Sequence, residues 1–240
     1  MKKDLEMLTE TGYDLEYNGS TAKSYGVFLY DYPEFSGAEK NYNVSSVAGR
    51  LGEIAGIDDY RTNQQISCTL SILNEGFMQN VRELKRWLSG NGKLSFSENP
   101  EIFYKVQKIE YGDIARELKN YGQFTVVFQC IPYEFLKSGQ IETDKNGAKQ
   151  NAYSMSRPIF KIVGEGMCTL TVNGKTMKAN VGQNLTIDTE LMLAYREDGE
   201  LQNTAVSGNY EDLYLLSGTN SISITNGFQL KIIPQWGYEV

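Results

Sequence analysis

The sequence has no histidine, only three cysteines and only five prolines in 240 residues. Without an imidazole, neither a Ser-His-Asp nor a Cys-His nucleophile can be assembled within one chain, because each needs that ring to take the proton. Zinc sites that use histidine are excluded as well. The cysteines, Cys68, Cys130 and Cys168, have no metal-ligand spacing. Each stands in an alternating apolar run: Ile66-x-Cys68-x-Leu70, Phe124-x-Val126-x-Phe128-x-Cys130 and Cys168-x-Leu170-x-Val172. That pattern predicts small buried strand residues. An odd number with no pairing pattern fits synthesis in a reducing compartment.

Long apolar runs are missing too. No stretch approaches the roughly 20 residues of a membrane-spanning helix. The lysines of MKKDLEMLTETG are not followed by the apolar core of a signal peptide. The expectation is a soluble chain made in the cytoplasm, with no membrane partner. Positive charge is also scarce: 23 basic residues face 30 acidic ones, a formal net charge of −7. A split at residue 140 leaves an acidic excess in both halves. With no basic face to meet phosphates, no tight nucleic-acid binding is expected.

What the sequence does have is tyrosine, 16 in all, and a dominant period-2 alternation. Strands are predicted at 25–30 (YGVFLY), 66–73 (ISCTLSIL), 93–97 (KLSFS), 103–110 (FYKVQKIE) and 122–130 (GQFTVVFQC). One segment breaks the pattern. In residues 76–89, Phe77, Val81, Leu84 and Leu88 recur at helical spacing, with Arg82, Glu83, Lys85 and Arg86 on the other faces. Asn74 is placed to cap its start and Gly90 its end. The first half therefore reads as α+β, mostly antiparallel strands with one amphipathic helix.

Residues 137–157, KSGQIETDKNGAKQNAYSMSR, carry no apolar period and read as a linker or a long connecting loop. Beyond them come short strands separated by turn residues, with Asn173-Gly174 and Asn226-Gly227 as hairpin signals. This half reads as an all-β sandwich. The expected domains are 1–136 and 158–240, joined by 137–157.

Several motifs in order carry a resemblance. Tyr17-Asn18-Gly19 is followed by Val47-Ala48-Gly49-Arg50-Leu51-Gly52, Tyr60-Arg61-Thr62-Asn63 and the helical Arg86-Trp87-Leu88. The second half opens with Ser156-Arg157-Pro158-Ile159-Phe160-Lys161-Ile162-Val163-Gly164-Glu165-Gly166. It continues with Leu170-Thr171-Val172-Asn173-Gly174-Lys175 and Ile187-Asp188-Thr189-Glu190-Leu191-Met192-Leu193-Ala194-Tyr195, and closes on Ile233-Pro234-Gln235-Trp236. From about Leu15 to Trp236 the chain resembles the distal tail proteins of siphophages that infect Gram-positive hosts. The first 14 or so residues precede the usual start of that family and read as an extension or arm.

The resemblance implies a non-enzymatic virion protein without cofactors, assembled in the host cytoplasm and located at the tail tip. Its N-terminal domains would pack into a hexameric ring, with galectin-like C-terminal sandwiches on the outside. The ring would join the major tail tube protein to the tail-tip protein and to receptor-binding or baseplate proteins.

The Gly49-Arg50-Leu51-Gly52 turn leaves three readings. A phosphate loop needs Gly-x-x-x-x-Gly-Lys-Ser/Thr between an apolar strand and a helix, and those conditions are not met. An ordinary turn and a subunit contact remain, and the resemblance favours the contact. Arg50 would then fork onto a carboxylate of the next subunit. Gly49, Arg50, Gly52, Tyr60, Arg82, Glu83 and Arg86 are the interface candidates. Tyr25, Tyr30, Tyr32 and Tyr42 cluster in a segment expected to be exposed or at a subunit contact, where an apolar ring with a polar tip is useful.

A different class of function is a carbohydrate-binding protein that recognises a cell-wall glycan through the C-terminal sandwich, with Trp236 as its sugar or protein contact. Glycoside hydrolysis would need carboxylates facing each other about 5–10 Å apart. The adjacent pairs Asp58-Asp59 and Glu197-Asp198 read instead as solvated loop residues.

Overall fold

The computed structural model describes residues 13–45, 49, 51, 54–73, 77–113, 115–118 and 121–240. The backbone divides into a first compact unit that ends at Glu134 and takes back the terminal Val240, and a second, Phe135–Glu239. Both are built of antiparallel β-sheet, and among the described residues the first adds one α-helix.

In the first unit the strands are β1 (Leu15–Tyr17), β2 (Ser20–Thr21), β3 (Val27–Leu29), β4 (Glu34–Phe35), β5 (Lys40–Ser45), β6 (Ile54–Arg61) and β7 (Gln64–Leu73). Helix α1 (Phe77–Trp87) follows, then β8 (Gly92–Phe96), β9 (Ile102–Tyr111), β10 (Ala115–Leu118) and β11 (Tyr121–Leu136). The main sheet runs β2-β1-β8-β9-β11-β7-β3, with β4 also on β7 and β10 on β11. Among the described residues β5 and β6 pair with each other alone, as a separate two-stranded hairpin.

Alternation places the core. Ile66, Cys68, Leu70 and Ile72 of β7 and Phe124, Val126, Phe128 and Cys130 of β11 are all buried on one face. Each fully buried aliphatic or aromatic side chain stabilises by about 1.5–3 kcal/mol. Val81, Leu84 and Trp87 of α1, and Leu88 just after it, cover that same core. The helix ends as the Leu88 N–H donates to the Leu84 carbonyl at 2.8 Å and the Ser89 hydroxyl to Arg86 at 2.6 Å. Gly90, expected as the cap, lies beyond that bond at φ 74° and accepts from the Tyr17 hydroxyl at 2.7 Å. Asn74, the expected N-cap, lies outside the described residues.

The strand expected at 25–30 is shorter. Ala22–Tyr25 forms a 3₁₀ turn closed by Gly26 in the left-handed region (φ 65°), and extended structure begins only at Val27. Glycine tolerates that conformation, whereas a β-carbon would strain it.

In the second unit β12 (Gln150–Asn151) pairs with β17 (Gly218–Thr219). The larger sheet is centred on β13 (Ile159–Val172) and β14 (Lys175–Asp188). β15 (Leu193–Tyr195) and β16 (Val206–Ser207) add to β14, and β18 (Ile222–Ile224) and β19 (Gln229–Ile233) to β13. Asn173-Gly174, with φ 50° and 80°, makes the β13–β14 hairpin turn that the sequence predicts.

Asn226-Gly227 makes no hairpin. β18 and β19 both lie along β13, at its two ends, and the turn between them carries Phe228 over the middle of that strand. There a β-carbon on Gly164 would sit 2.3 Å from the Phe228 ring. The short strands predicted around Gly164-Glu165-Gly166 accordingly fuse into one 14-residue strand whose register with β14 is unbroken.

The 137–157 stretch read as a linker or long connecting loop is part of the second unit. It holds a 3₁₀ turn (Lys137–Gln140) and β12, and it buries Ala148 and Asn151.

Candidate assembly surfaces

Of the Gly-Arg-Leu-Gly motif, Gly49 and Leu51 are described and fall in the connection between β5 and β6. Register runs from Lys40 opposite Arg61 to Ser45 opposite Ile54, with an irregularity between Lys40 and Tyr42. At the base of the hairpin the Thr62 N–H donates to the Glu39 carbonyl and the Glu39 N–H to the Thr62 hydroxyl, both at 3.0 Å. The Arg61 guanidinium donates to the carbonyl of Val240. Gly49 adopts φ 86° with open space where a β-carbon would stand, so its glycine is required by backbone conformation and not by crowding. Arg50 and Gly52 lie outside the described residues. Tyr60 lies in β6.

Leu51 is the residue the candidate set missed. Its side chain is fully exposed in the β5–β6 connection. Its signal in the sequence is an apolar residue inside a Gly-x-x-Gly turn.

A second surface lies around β4. Tyr32 and Phe35 are 67% and 47% exposed, far more than aromatic rings normally are. They belong to one aromatic cluster. Tyr13 meets Tyr32 edge-on at 5.2 Å and stacks on Phe96 at 6.1 Å, and Phe35 meets Phe96 at 5.9 Å and Tyr104 at 5.8 Å. Burial, then the Glu98 carboxylate, push the Tyr13 hydroxyl up to about 12. Burial and the hydrogen bond to Glu134, at 2.7 Å, raise Tyr104 as well. Tyr30 is exposed beside them, as expected. Tyr25 instead stacks on Trp87 at 4.6 Å. Asp31, Glu34 and Glu39 are exposed on the same stretch, which has no basic residue from 31 to 39.

A third surface is the outer face of α1. Arg82, Glu83, Lys85 and Arg86 are exposed, and Gln79 donates to Glu83 at 3.0 Å. Among the described residues none of the three cations makes an ion pair.

On the face of the main sheet opposite the core, the facing positions of β7 and β11 are uncharged, and the strip is bordered on β9 by Glu110, which accepts from Gln129 at 2.9 Å and pairs with Lys108 at 2.6 Å. Gln123, Thr125, Val127 and Gln129 of β11 lie directly across from Ser71, Thr69, Ser67 and Gln65 of β7.

Trp236, the expected sugar or protein contact, is 8% exposed. It packs in the second core, where a β-carbon on Gly139 would lie 2.3 Å from its backbone nitrogen. Burial removes the ring face that a sugar would stack on. Asp58 and Asp59 are consecutive residues of β6, not loop residues. Glu197 and Asp198 are exposed in a turn, where the Asp198 carboxylate accepts from the Glu200 N–H at 2.9 Å. All three cysteines are buried thiols, and no cluster of three or more acidic or cysteine ligands occurs among the described residues.

No protein-family model matches the chain. The SPbeta prophage-derived uncharacterized protein YomH of Bacillus subtilis (strain 168) is 24% identical, over 82% of this chain and 85% of that protein. The crystal structure of SPP1 Dit, a paradigm of the hub adsorption apparatus in phages infecting Gram-positive bacteria, superposes with a TM-score of 0.63. That match covers 92% of this chain and 97% of SPP1 Dit at 12% identity, a likeness of fold.

Proposed function

We propose that this chain is a distal tail protein, a structural subunit of a phage tail tip that closes into a hexameric ring. The ring joins the tail tube to the tail-tip protein and the receptor-binding proteins. The observation that carries the reading is the fold shared with SPP1 Dit along nearly the whole of both chains. The prophage-derived relative supports it.

The mechanism is geometric. A cyclic assembly with more than two subunits needs two different complementary patches on every copy. The β5–β6 connection with Leu51, the aromatic surface at Tyr32 and Phe35 and the charged face of α1 are the surfaces available for them. The uncharged strip along β7 and β11 suits the wall of a passage, since it offers no cation to hold a phosphate backbone. No catalysis is required of the protein. The C-terminal unit, read as galectin-like, decorates the outside of the ring.

Light scattering after size exclusion, with negative-stain images of the same peak, tests the reading. Particles of six or twelve chains with a central hole are expected. A monomer at every concentration would count against ring formation by the chain alone.

A further inference from the structure

Two of these surfaces are complementary in charge and stand at opposite ends of the first unit. Segment 31–39 presents Asp31 and Glu34 beside Tyr32 and Phe35, with no basic residue among them. The outer face of α1 presents Arg82, Lys85 and Arg86 within an arc of about 100° at 3.6 residues per turn. The one acidic residue of the helix, Glu83, lies about 60° outside that arc and is already engaged by Gln79. Arginine stacks on aromatic faces and forks onto carboxylates, so acid flanked by open tyrosine and phenylalanine is the surface it recognises.

The two cannot satisfy each other within one chain. β4 pairs with the start of β7, Phe35 opposite Ile66, whereas α1 follows the far end of the strand, beyond Ile72 and Leu73. Six strand residues separate those ends by about 20 Å. β1 shows the same polarity. Trp87 at the end of α1 is bonded to Tyr17, and the aromatic cluster gathers around Tyr13 at the other end.

We infer that the acidic aromatic segment 31–35 of one copy docks on the Arg82, Lys85 and Arg86 face of α1 in the next copy, head to tail. This inference rests on the ring reading and names the contact that closes it. Tyr32 and Phe35 supply apolar area and ring faces for the guanidinium groups. The carboxylates set the direction, because like surfaces repel and only unlike surfaces meet.

The test uses the full chain and two double variants at exposed positions, Arg82→Glu with Arg86→Glu, and Asp31→Lys with Glu34→Lys. Urea midpoints equal to wild type confirm that both fold. Each variant alone carries the same net sign on both surfaces, so each is expected to raise the concentration needed for assembly roughly tenfold or more. Mixed in equal amounts they form only complementary contacts when they alternate, which an even-numbered ring permits, and assembly is expected to return. Wild-type assembly should also weaken as salt rises, since the Debye length falls to about 10 Å at 0.1 M. Variants that assemble as wild type does would overturn the docking pair and leave the ring reading standing. Weakened variants that fail to recover on mixing would overturn the pairing of these two surfaces. A wild-type chain that stays monomeric would overturn the inference together with ring formation by the chain alone.

Discussion

The indole Nε1 of Trp87 donates to the backbone carbonyl of Tyr17 at 3.0 Å, a bond between residues 70 apart in the chain. With Tyr25 stacked on the same ring, it ties the end of α1 to β1 and the 3₁₀ turn. The position of the charged helix face depends on that anchor. Trp87→Phe keeps an aromatic ring but removes that hydrogen bond, which costs about 0.5–1.5 kcal/mol. The expected outcome is a lower urea midpoint by far-UV circular dichroism, with the m-value unchanged.

Gly139→Ala should destabilise the second unit. Its β-carbon would lie 2.3 Å from the backbone nitrogen of Trp236, and backbone cannot swing aside as a side-chain tip does. Overpacking of this kind costs about 1–3 kcal/mol. Calorimetry would show a lower melting temperature, and Trp236 fluorescence should report the change. A melting curve identical to wild type would show that the backbone there adjusts freely.

Leu51→Asp should weaken assembly and leave stability alone. The side chain is fully exposed, so the folded monomer loses nothing by the change. If the β5–β6 connection is buried against another subunit, a carboxylate there meets a desolvation cost. Light scattering reads the shift toward smaller species, and the urea midpoint serves as the control. An assembly that tolerates the carboxylate at this position would exclude the connection from the contact.

Alkaline pH should destabilise the first unit. Burial pushes the Cys130 thiol up to about 12 and raises Cys68 further, and Tyr13 rises to about 12 from burial and Glu98. In the unfolded chain these groups lose their protons near 9 and 10, their ordinary values. Folded pKa values raised in this way favour the native state below the ordinary values. That contribution is lost as pH climbs from about 9 through about 12, because the unfolded chain then holds fewer protons. Urea midpoints at pH 7, 9 and 10.5 should fall in that order. In the same vein, a thiol reagent should label all three cysteines quickly in urea and slowly in the native protein.

DNA binding should be negligible even at low salt. The formal charge is −7 and the strip along β7 and β11 carries no cation. A gel shift in about 20 mM salt is expected to show free DNA, and a retained complex with a steep salt dependence would refute the passage reading.

The alternation in ISCTLSIL and in GQFTVVFQC determined by itself that β7 and β11 are strands and which of their faces is buried, because strand periodicity is local. The spacing of Val81, Leu84 and Leu88 likewise determined the helix and its charged outer face. Asn173-Gly174 announced its hairpin because a two-residue turn is its own instruction. Trp236, Asn226-Gly227 and the 137–157 stretch were decided by tertiary structure. Exposure of a ring, the strand that a turn delivers to its partner and the burial of Ala148 each depend on residues distant in sequence, such as Gly139 at Trp236 and Gly164 under Phe228. The same holds for the assembly surfaces. Charged residues on segment 31–35 and on α1 are legible in the chain, but their separation by the length of β7 arises only when that strand sets β4 at one end and the helix at the other.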